Sequence, residues 1–438
     1  MQVLVTGADG FIGRALCTRL AARGHVVVAG VHRGSNRSPA RCAASHDAPA
    51  AGVSREVDVD FVRDVTADAW LPRLTGIDAV VNAVGLIREH GDATFARVHV
   101  EAPIALYDAS AARGIAHFVQ LSALGADAQS RSAYHRTKRM ADEALHARLP
   151  RAWSAQPSLV FGAHGGSARL FMLLASLPVI PVPGHGESRV QPIHVDDLVL
   201  ALCALLEGDG PGGTVALVGP RPLALRDWLV TLRQCLGLPR THVVAVPWAA
   251  MRAAAALAEH FPGSLLDRDT LGMLARGNAA DAGATAALLQ RAPRDPAAFI
   301  TAAEAPALRT TARLGWLLPL LRSAVAVVWI GTAIVSFGVF PVSESYALLA
   351  RTGVPAALAP LFLYGAAGLD LAFGVGIFML SGQRRRLLWR AQVVLIVLYS
   401  VLIAWRLPEF WVHPYAPMLK NVPLVAMLVL LDVLEPRA

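Results

Sequence analysis

Residues 2–33 constrain the fold more than any other stretch of this chain. An apolar run from Val3 to Val5 leads into glycines at Gly7, Gly10 and Gly13, then into helix-forming sequence with Ala15, Leu16 and Leu20 as apolar positions. A second apolar run, Val26 to Val31, arrives after a helix-length gap and ends in His32-Arg33. Strand, glycine turn, helix and strand in this order make a βαβ unit. Glycine is needed in the turn because backbone N–H groups must approach a ligand closely, and the helix N-terminus behind it favours negative charge. The spacing Thr6-Gly7-x-x-Gly10-Phe11-Ile12-Gly13 has one residue more between its first two glycines than the G-x-G-x-x-G fingerprint. It suits the pyrophosphate of a dinucleotide; a tight turn with no ligand is the alternative. The adenosine ribose is read at the end of the second strand, where an arginine accommodates a 2′-phosphate, so Arg33 points to NADP.

The α/β alternation continues as far as residue 300. Val57 to Val62 reads as a third strand, followed by Asp64-Val65 and a helix around Ala67 to Leu74. Ile77 to Gly85 is a buried parallel strand whose polar end, Asn82-Ala83-Val84-Gly85, is expected to line the ligand cleft. A helix from Phe95 to Ala112 is expected to bend or restart at Pro103. Ile115 to Leu121 then delivers Ser122, and Ser132 opens a helix that carries Tyr134 and Lys138. These two are four residues apart and share a helix face. An ammonium there lowers the cost of ionising a phenol whose reference pKa is about 10, as a general acid or base on a carbinol or carbonyl requires. A half-buried tyrosine beside a solvated lysine is the alternative reading.

Together, Thr6-Gly7-x-x-Gly10-Phe11-Ile12-Gly13, Asp64-Val65, Asn82 to Gly85, Ser122 and Tyr134-x-x-x-Lys138 resemble the short-chain dehydrogenase/reductase superfamily. Gln156-Pro157-Ser158-Leu159-Val160-Phe161-Gly162 and Val190 to Leu198 resemble its atypical, extended branch, the relatives of nucleotide-sugar epimerases and dehydratases. Val84-Gly85 with Phe95-x-x-Val98-x-x-Glu101 is similar to the group holding the Rossmann-type accessory subunit of respiratory complex I. The resemblance implies a doubly wound Rossmann sheet with a small substrate lobe over residues 1–300. It places the pyrophosphate at Gly7, Gly10 and Gly13, the 2′-phosphate at Arg33, the adenine at Asp64 and Val65, and the nicotinamide ribose and proton transfer at Tyr134 and Lys138. Thr6, Phe11, Ile12, His32, Asn82, Ala83, Val84, Gly85 and Pro157 complete the expected cofactor contacts. Ser122 would polarise the substrate oxygen. His164 and His185 lie in loops at the mouth of the lobe, whereas His194 and Asp197 are read as fixing the loop after Pro192. Leu288 to Ile300 is expected to close the domain as a helical segment.

Composition enters at the C-terminal end. Of the 438 residues 55% are hydrophobic, above the usual soluble value of about 45–50%, and the excess lies after a linker over residues 301–316. Leu317–Phe340, Pro355–Leu380, Leu387–Trp405 and Pro417–Leu434 are apolar enough to read as an all-α bundle of four transmembrane helices, at about 20 residues per span. Span number and length make residues 317–438 similar to the DoxX-like membrane family. Arg384, Arg385, Arg386 and Arg390 lie between the second and third spans, and Arg309, Arg313 and Arg322 lie at the first. The positive-inside rule then puts both chain ends in the cytoplasm, with a multi-pass domain in the inner (cytoplasmic) membrane. With a strand starting at Gln2, no secretory signal is expected ahead of it. Trp405, Trp411 and Tyr415 read as an interfacial belt, and Asp370, inside the second span, should face the bundle interior. The formal charge of +8 fits this orientation; without a nucleic-acid-binding motif it does not argue for nucleic acid. Cys17, Cys42, Cys203 and Cys235 have no paired spacing, so neither a disulfide framework nor a metal site is expected.

The leading expectation is a membrane-anchored NADP(H)-dependent oxidoreductase acting on a carbonyl or alcohol of a lipophilic or quinone-like substrate. A second is a non-catalytic factor, stabilised by NADPH, for the structure or assembly of a membrane redox complex. A third, a nucleotide-sugar epimerase or dehydratase, is disfavoured by Arg33, because that chemistry usually recycles NAD.

Overall fold

Val3 and Val5 pack on one face of a sheet and Leu4 on the other, and all three are fully buried. A strand buried on both sides is what a doubly wound architecture demands. The computed structural model describes residues 1–32, 52–259 and 268–436. Its central sheet has seven parallel strands: β1 (Gln2–Thr6), β2 (Val26–Val31), β3 (Val53–Asp58), β4 (Ala79–Asn82), β5 (His117–Leu121), β6 (Trp153–Pro157) and β7 (Gly213–Leu217), in the order β7-β6-β5-β4-β1-β2-β3. The order reverses at β1 and β4, so a crevice opens beyond the carboxyl ends of these two strands, where the turn of Gly7 and the loop of Gly85 lie.

Helix α1 (Phe11–Ala22) covers one face through Leu16, Cys17 and Leu20. The other face is covered by α2 (Ala102–Ala112) and by Leu145 of α3 (Ala133–Arg148). The helix expected over 95–112 is in fact two: a π-helical segment, Ala96–Glu101, precedes α2, and Pro103, lacking an N–H, sits in the first turn of the restart. The expected third strand at 57–62 lies earlier. After Asp58 the Asp60 carboxylate accepts the Val62 N–H at 2.9 Å, and the Asp64 carboxylate accepts the Asp60 N–H at 2.6 Å, folding this stretch into a turn. Aspartates that bond to nearby backbone compete with a sheet ladder. The expected 67–74 helix is a single turn, Ala67–Trp70.

The lobe is built from α4 (Gly166–Ser176), α5 (Val195–Glu207), α6 (Leu225–Cys235), α7 (Trp248–Ala258), α8 (Arg268–Arg276) and α9 (Gly283–Leu289), although α5 packs with α1 on the sheet. Its own core stacks Phe161 on Phe299 at 5.2 Å and sets Trp228 edge-on to Phe161 at 5.7 Å. The expected closing helix at 288–300 is replaced by a left-handed Gln290 and one short turn, Pro296–Ala298. Asp197, expected to fix the loop after Pro192, instead holds this segment: it accepts the Arg294 N–H at 2.6 Å and pairs with Arg291.

The described residues fall into two compact units that divide after Arg313. The expected linker is helical from Ala305, where α10 (Ala305–Ile334) begins, and Ala305, Leu308 and Ala312 pack into the lobe core. The second unit contains α11 (Val342–Thr352), α12 (Ala359–Met379), α13 (Gly382–Arg406) and α14 (Asn421–Leu434). Among the described residues three helical stretches, Ala305–Val339, Ala356–Met379 and Gly382–Arg406, are long and apolar enough to cross a membrane. The fourth expected span is only the 14 residues of α14, about 21 Å at 1.5 Å per residue. Asp370 is buried among the helices as expected. Trp329 donates to Gln392 at 2.9 Å and meets Phe373 edge-on at 5.1 Å.

Candidate active site

The turn after β1 is built for close approach. Gly7 has φ 71°, and a Cβ there would sit 3.1 Å from the Ala83 carbonyl. A Cβ on Gly13 would lie 2.0 Å from the Gly7 oxygen, so α1 rests directly on the turn. Gly10 donates to that same oxygen at 2.9 Å and caps α1 without a side chain. The first-turn amides of Phe11, Ile12 and Gly13 thus receive no side-chain cap, and a helix of twelve residues presents its N-terminus beyond the sheet. These features fit a dinucleotide pyrophosphate. Phe11 packs its ring against Gly162 and Gly165.

Other expected contacts are placed differently. Thr6 and Asn82 are fully buried beneath the crevice. Thr6 Oγ1 donates to Asn82 Oδ1 at 2.6 Å, Asn82 Nδ2 donates to Gln120 Oε1 at 2.9 Å, and the Tyr107 hydroxyl donates to the same Oε1 at 2.8 Å. Asn82 Oδ1 also accepts the Val84 N–H at 3.2 Å. Thr6 and Asn82 therefore shape the Ala83-Val84-Gly85 loop from below, whereas Gly85 is exposed at its tip. The Asp64 carboxylate is already engaged, with Arg73 at 2.8 Å and the Asp60 N–H, while Val65 is exposed. His32 is exposed, with Nδ1 3.3 Å from the Val59 oxygen. Pro157 is buried and its carbonyl accepts the Leu124 N–H at 3.0 Å. Arg33 lies outside the described residues.

Ser132 caps α3 and starts it so that Tyr134, Lys138 and Asp142 fall on one face, a turn apart. Lys138 is buried, and its Nζ donates to the Leu121 carbonyl at 3.0 Å. A Cβ on Gly85 would stand 3.2 Å from that Nζ, which brings the loop after β4 directly over the lysine. Asp142, not singled out in the sequence, is buried one turn below. It accepts Ser122 Oγ at 2.6 Å, Ser154 Oγ at 2.9 Å and Gln156 Nε2 at 3.0 Å. Ser122 is thus turned away from the position expected of it, because a carboxylate is a stronger acceptor than any other group in its reach. The signal for Asp142 was its i+4 spacing from Lys138.

Burial, with the Asp142 charge adding to it, pushes the Tyr134 phenol up to about 12. The group is therefore protonated at neutral pH, rather than being eased towards ionisation. Burial pulls Lys138 down to about 8, with Asp142 opposing the shift. A cavity of about 850 Å³ lies between the loop that follows β5 and the lobe. Its floor includes Leu124, Gly125 and Asp127, its walls Trp248, Arg189 and Arg276, and His185 also lines it. Arg276 donates to the Gly125 carbonyl at 2.9 Å and pairs with Asp127, pinning the β5–α3 loop to the lobe.

Residues 3–219 match the NAD dependent epimerase/dehydratase family, and residues 326–429 match the DoxX-like family. The chain joins an epimerase/dehydratase domain to a DoxX-like domain. Tyr134, Lys138 and the glycine turn all lie inside the epimerase/dehydratase match. The chain is 32% identical over 225 residues to the mitochondrial NADH dehydrogenase [ubiquinone] 1 alpha subcomplex subunit 9 of Arabidopsis thaliana, covering 49% of this chain and 53% of that one. It is 32% identical over 205 residues to the ceramide reductase of Caulobacter vibrioides, covering 46% and 60%. It thus spans between half and two thirds of the length of these relatives. The UDP-glucuronic acid 4-epimerase of Bacillus cereus, solved with UDP-glucuronic acid and NAD, superposes with a TM-score of 0.50 at 17% identity, over 72% of this chain and 100% of that one. At that identity the likeness establishes the fold.

Proposed function

We propose that the epimerase/dehydratase domain is an NADP(H)-dependent oxidoreductase acting on a carbonyl or alcohol of a lipophilic or quinone-like substrate, and that the DoxX-like helices hold it at the inner membrane. The observation that carries this reading is Tyr134, protonated and one turn from a buried Lys138, on the helix that follows the Leu124–Asp127 loop, which lines a cavity large enough for a small-molecule substrate. Gly7, Gly10 and Gly13 would hold the pyrophosphate and Lys138 the nicotinamide ribose; Arg33 is the argument for NADP over NAD. When bound, the nicotinamide supplies or accepts the hydride. Tyr134 donates its hydroxyl proton to the substrate oxygen in the direction of reduction and takes it back in oxidation. Lys138 keeps its ammonium on that side of the phenol, and Arg276 fixes the floor of the cavity. Ser122 serves through Asp142, not on the substrate. The named ceramide reductase among the relatives supports a reductase and a lipophilic substrate.

The test uses full-length protein in detergent with NADPH and a panel of quinones and lipid carbonyl compounds, following nicotinamide absorbance. Oxidation that falls at least about a hundredfold in Tyr134→Phe, with NADPH affinity unchanged, supports the reading. A second reading, a nucleotide-stabilised assembly factor for a membrane redox complex, draws on the complex I subunit among the relatives and on the engagement of Ser122 by Asp142. It is favoured if NADPH stays bound and unoxidised in both proteins. A preference for NADH over NADPH would instead favour sugar-nucleotide chemistry.

A further inference from the structure

We propose that His99 is a positioning residue, a strut that locks the loop after β4 to the helix carrying Tyr134 and Lys138, so that the cofactor side and the proton-transfer side of the site move as one body. The inference rests on the oxidoreductase reading for its purpose, but its geometry stands in the protein alone.

His99 sits in the π-helical segment Ala96–Glu101, where one widened turn replaces α-helical geometry. Such turns recur at functional sites because they re-aim a side chain without ending the helix. His99 is 1% exposed. Its Nε2 accepts the Leu86 N–H at 3.0 Å, which fixes the tautomer in the neutral ring and leaves the proton on Nδ1. Nδ1 lies 3.0 Å from Thr137 Oγ1 and therefore donates to it. Thr137 in turn passes its hydroxyl proton to the Ala133 or Tyr134 carbonyl, both at 3.0 Å, inside the first turn of α3. The chain of donors runs in one direction, from the loop to the helix, and every member is satisfied.

Packing reinforces the same link. The imidazole stacks on Phe95 at 5.2 Å and meets the Tyr134 ring edge-on at 5.4 Å. At Gly85 the loop comes closest to both partners: a Cβ there would lie 3.2 Å from Lys138 Nζ and 3.8 Å from His99 Nε2. Burial and the neighbouring Lys138 charge hold the imidazole down to about 2. His99 is therefore neutral around pH 7, as its acceptor role toward the Leu86 N–H requires.

The experiment is amide hydrogen exchange on the full chain in detergent, first without nucleotide and then with NADPH, for the unaltered protein, His99→Phe, His99→Gln and Thr137→Val. Phenylalanine keeps the ring and its stacking but removes both hydrogen bonds. Without nucleotide, His99→Phe should exchange about tenfold faster at Leu86 and, together with it, at 134–138, as losing a buried bond predicts. Glutamine offers its amide oxygen to the Leu86 N–H and its amide N–H to Thr137, so it should restore protection at both places, a rescue that ring packing alone would not give. Thr137→Val, which removes the hydroxyl that receives the His99 proton, should keep Leu86 protected and loosen 134–138, and it serves if the phenylalanine variant does not fold. Unchanged exchange at 134–138 in both His99→Phe and Thr137→Val overturns the strut and leaves His99 as packing. The NADPH arm separates the two claims: absence of any NADPH effect in the unaltered protein counts against the dinucleotide reading, while the nucleotide-free comparison still decides the strut. Where NADPH oxidation is measurable, His99→Phe should lower kcat about tenfold with little change in KM for NADPH, a split that a purely structural defect would not give.

Discussion

Burial shifts the two groups above Asp142 on α3 most, and the Asp142 charge acts on both after it. That charge raises both Tyr134 and Lys138, while burial raises the phenol and lowers the ammonium, which titrates at about 8. A rate that needs the charged lysine falls as pH rises through that value. Asp142→Asn removes the negative charge, so both groups lose their protons at lower pH. The alkaline decline in NADPH oxidation, followed from about pH 6 to about pH 10, should move down by roughly one unit. A decline that stays in place would mean that Lys138 does not govern it. At this scale the sequence was legible where chemistry depends on local spacing. Tyr134 and Lys138 share a face because four residues make a helical turn. The bonds of Ser122, Thr6 and Asn82 were not legible because their side chains answer to Asp142 and Gln120, partners that only the assembled sheet brings near.

Elements were legible where periodicity was long and strict. The βαβ unit and the parallel strands at β4 and β5 followed from continuous apolar runs. β3 was misplaced because Val57 to Phe61 alternates as a strand would while Asp60 and Asp64 bind its backbone into a turn. The glycine turn gives a sharp prediction: Gly13→Ala sets a methyl 2.0 Å from the Gly7 oxygen, against rigid backbone. It should cost about 1–3 kcal/mol in thermal unfolding and weaken NADPH binding, whereas Gly24→Ala, with φ 83° but no atom within 4 Å, should leave binding unchanged. In the membrane unit the buried Glu435 ties α10 to α13 through Arg322 at 2.8 Å and Arg385 at 3.1 Å. Glu435→Ala leaves two cations without their partner and should cost about 3–5 kcal/mol, read as a lower unfolding temperature in detergent. Arg386 and Arg390 engage Asp432 at the same end of α14, which is why this charge-rich stretch packs instead of merely marking a loop.

For the whole molecule, the boundary matters more than the division into two parts suggests. A linker over 301–316 was expected from the family resemblance, yet helix α10 runs through it, and the apolar side of its first turns, Ala305, Leu308 and Ala312, completes the lobe core around Phe299 and Trp228. Those three residues are spaced three and four apart, the helical signature, but in so short an alanine-rich stretch their pattern was hidden by the membrane span that follows. A chain ending at Arg313 should therefore retain the lobe, whereas one ending at Ile300 strips this cover. The lost burial is worth about 2–3 kcal/mol, or roughly 3–5 °C in a domain of this size. Thermal unfolding of the two truncations, with and without NADPH, checks it. Equal midpoints would mean that α10 belongs to the membrane unit alone. A large deficit in the shorter chain would mean that the first turns of α10 are a structural part of the epimerase/dehydratase domain, its lobe core left open without Ala305, Leu308 and Ala312.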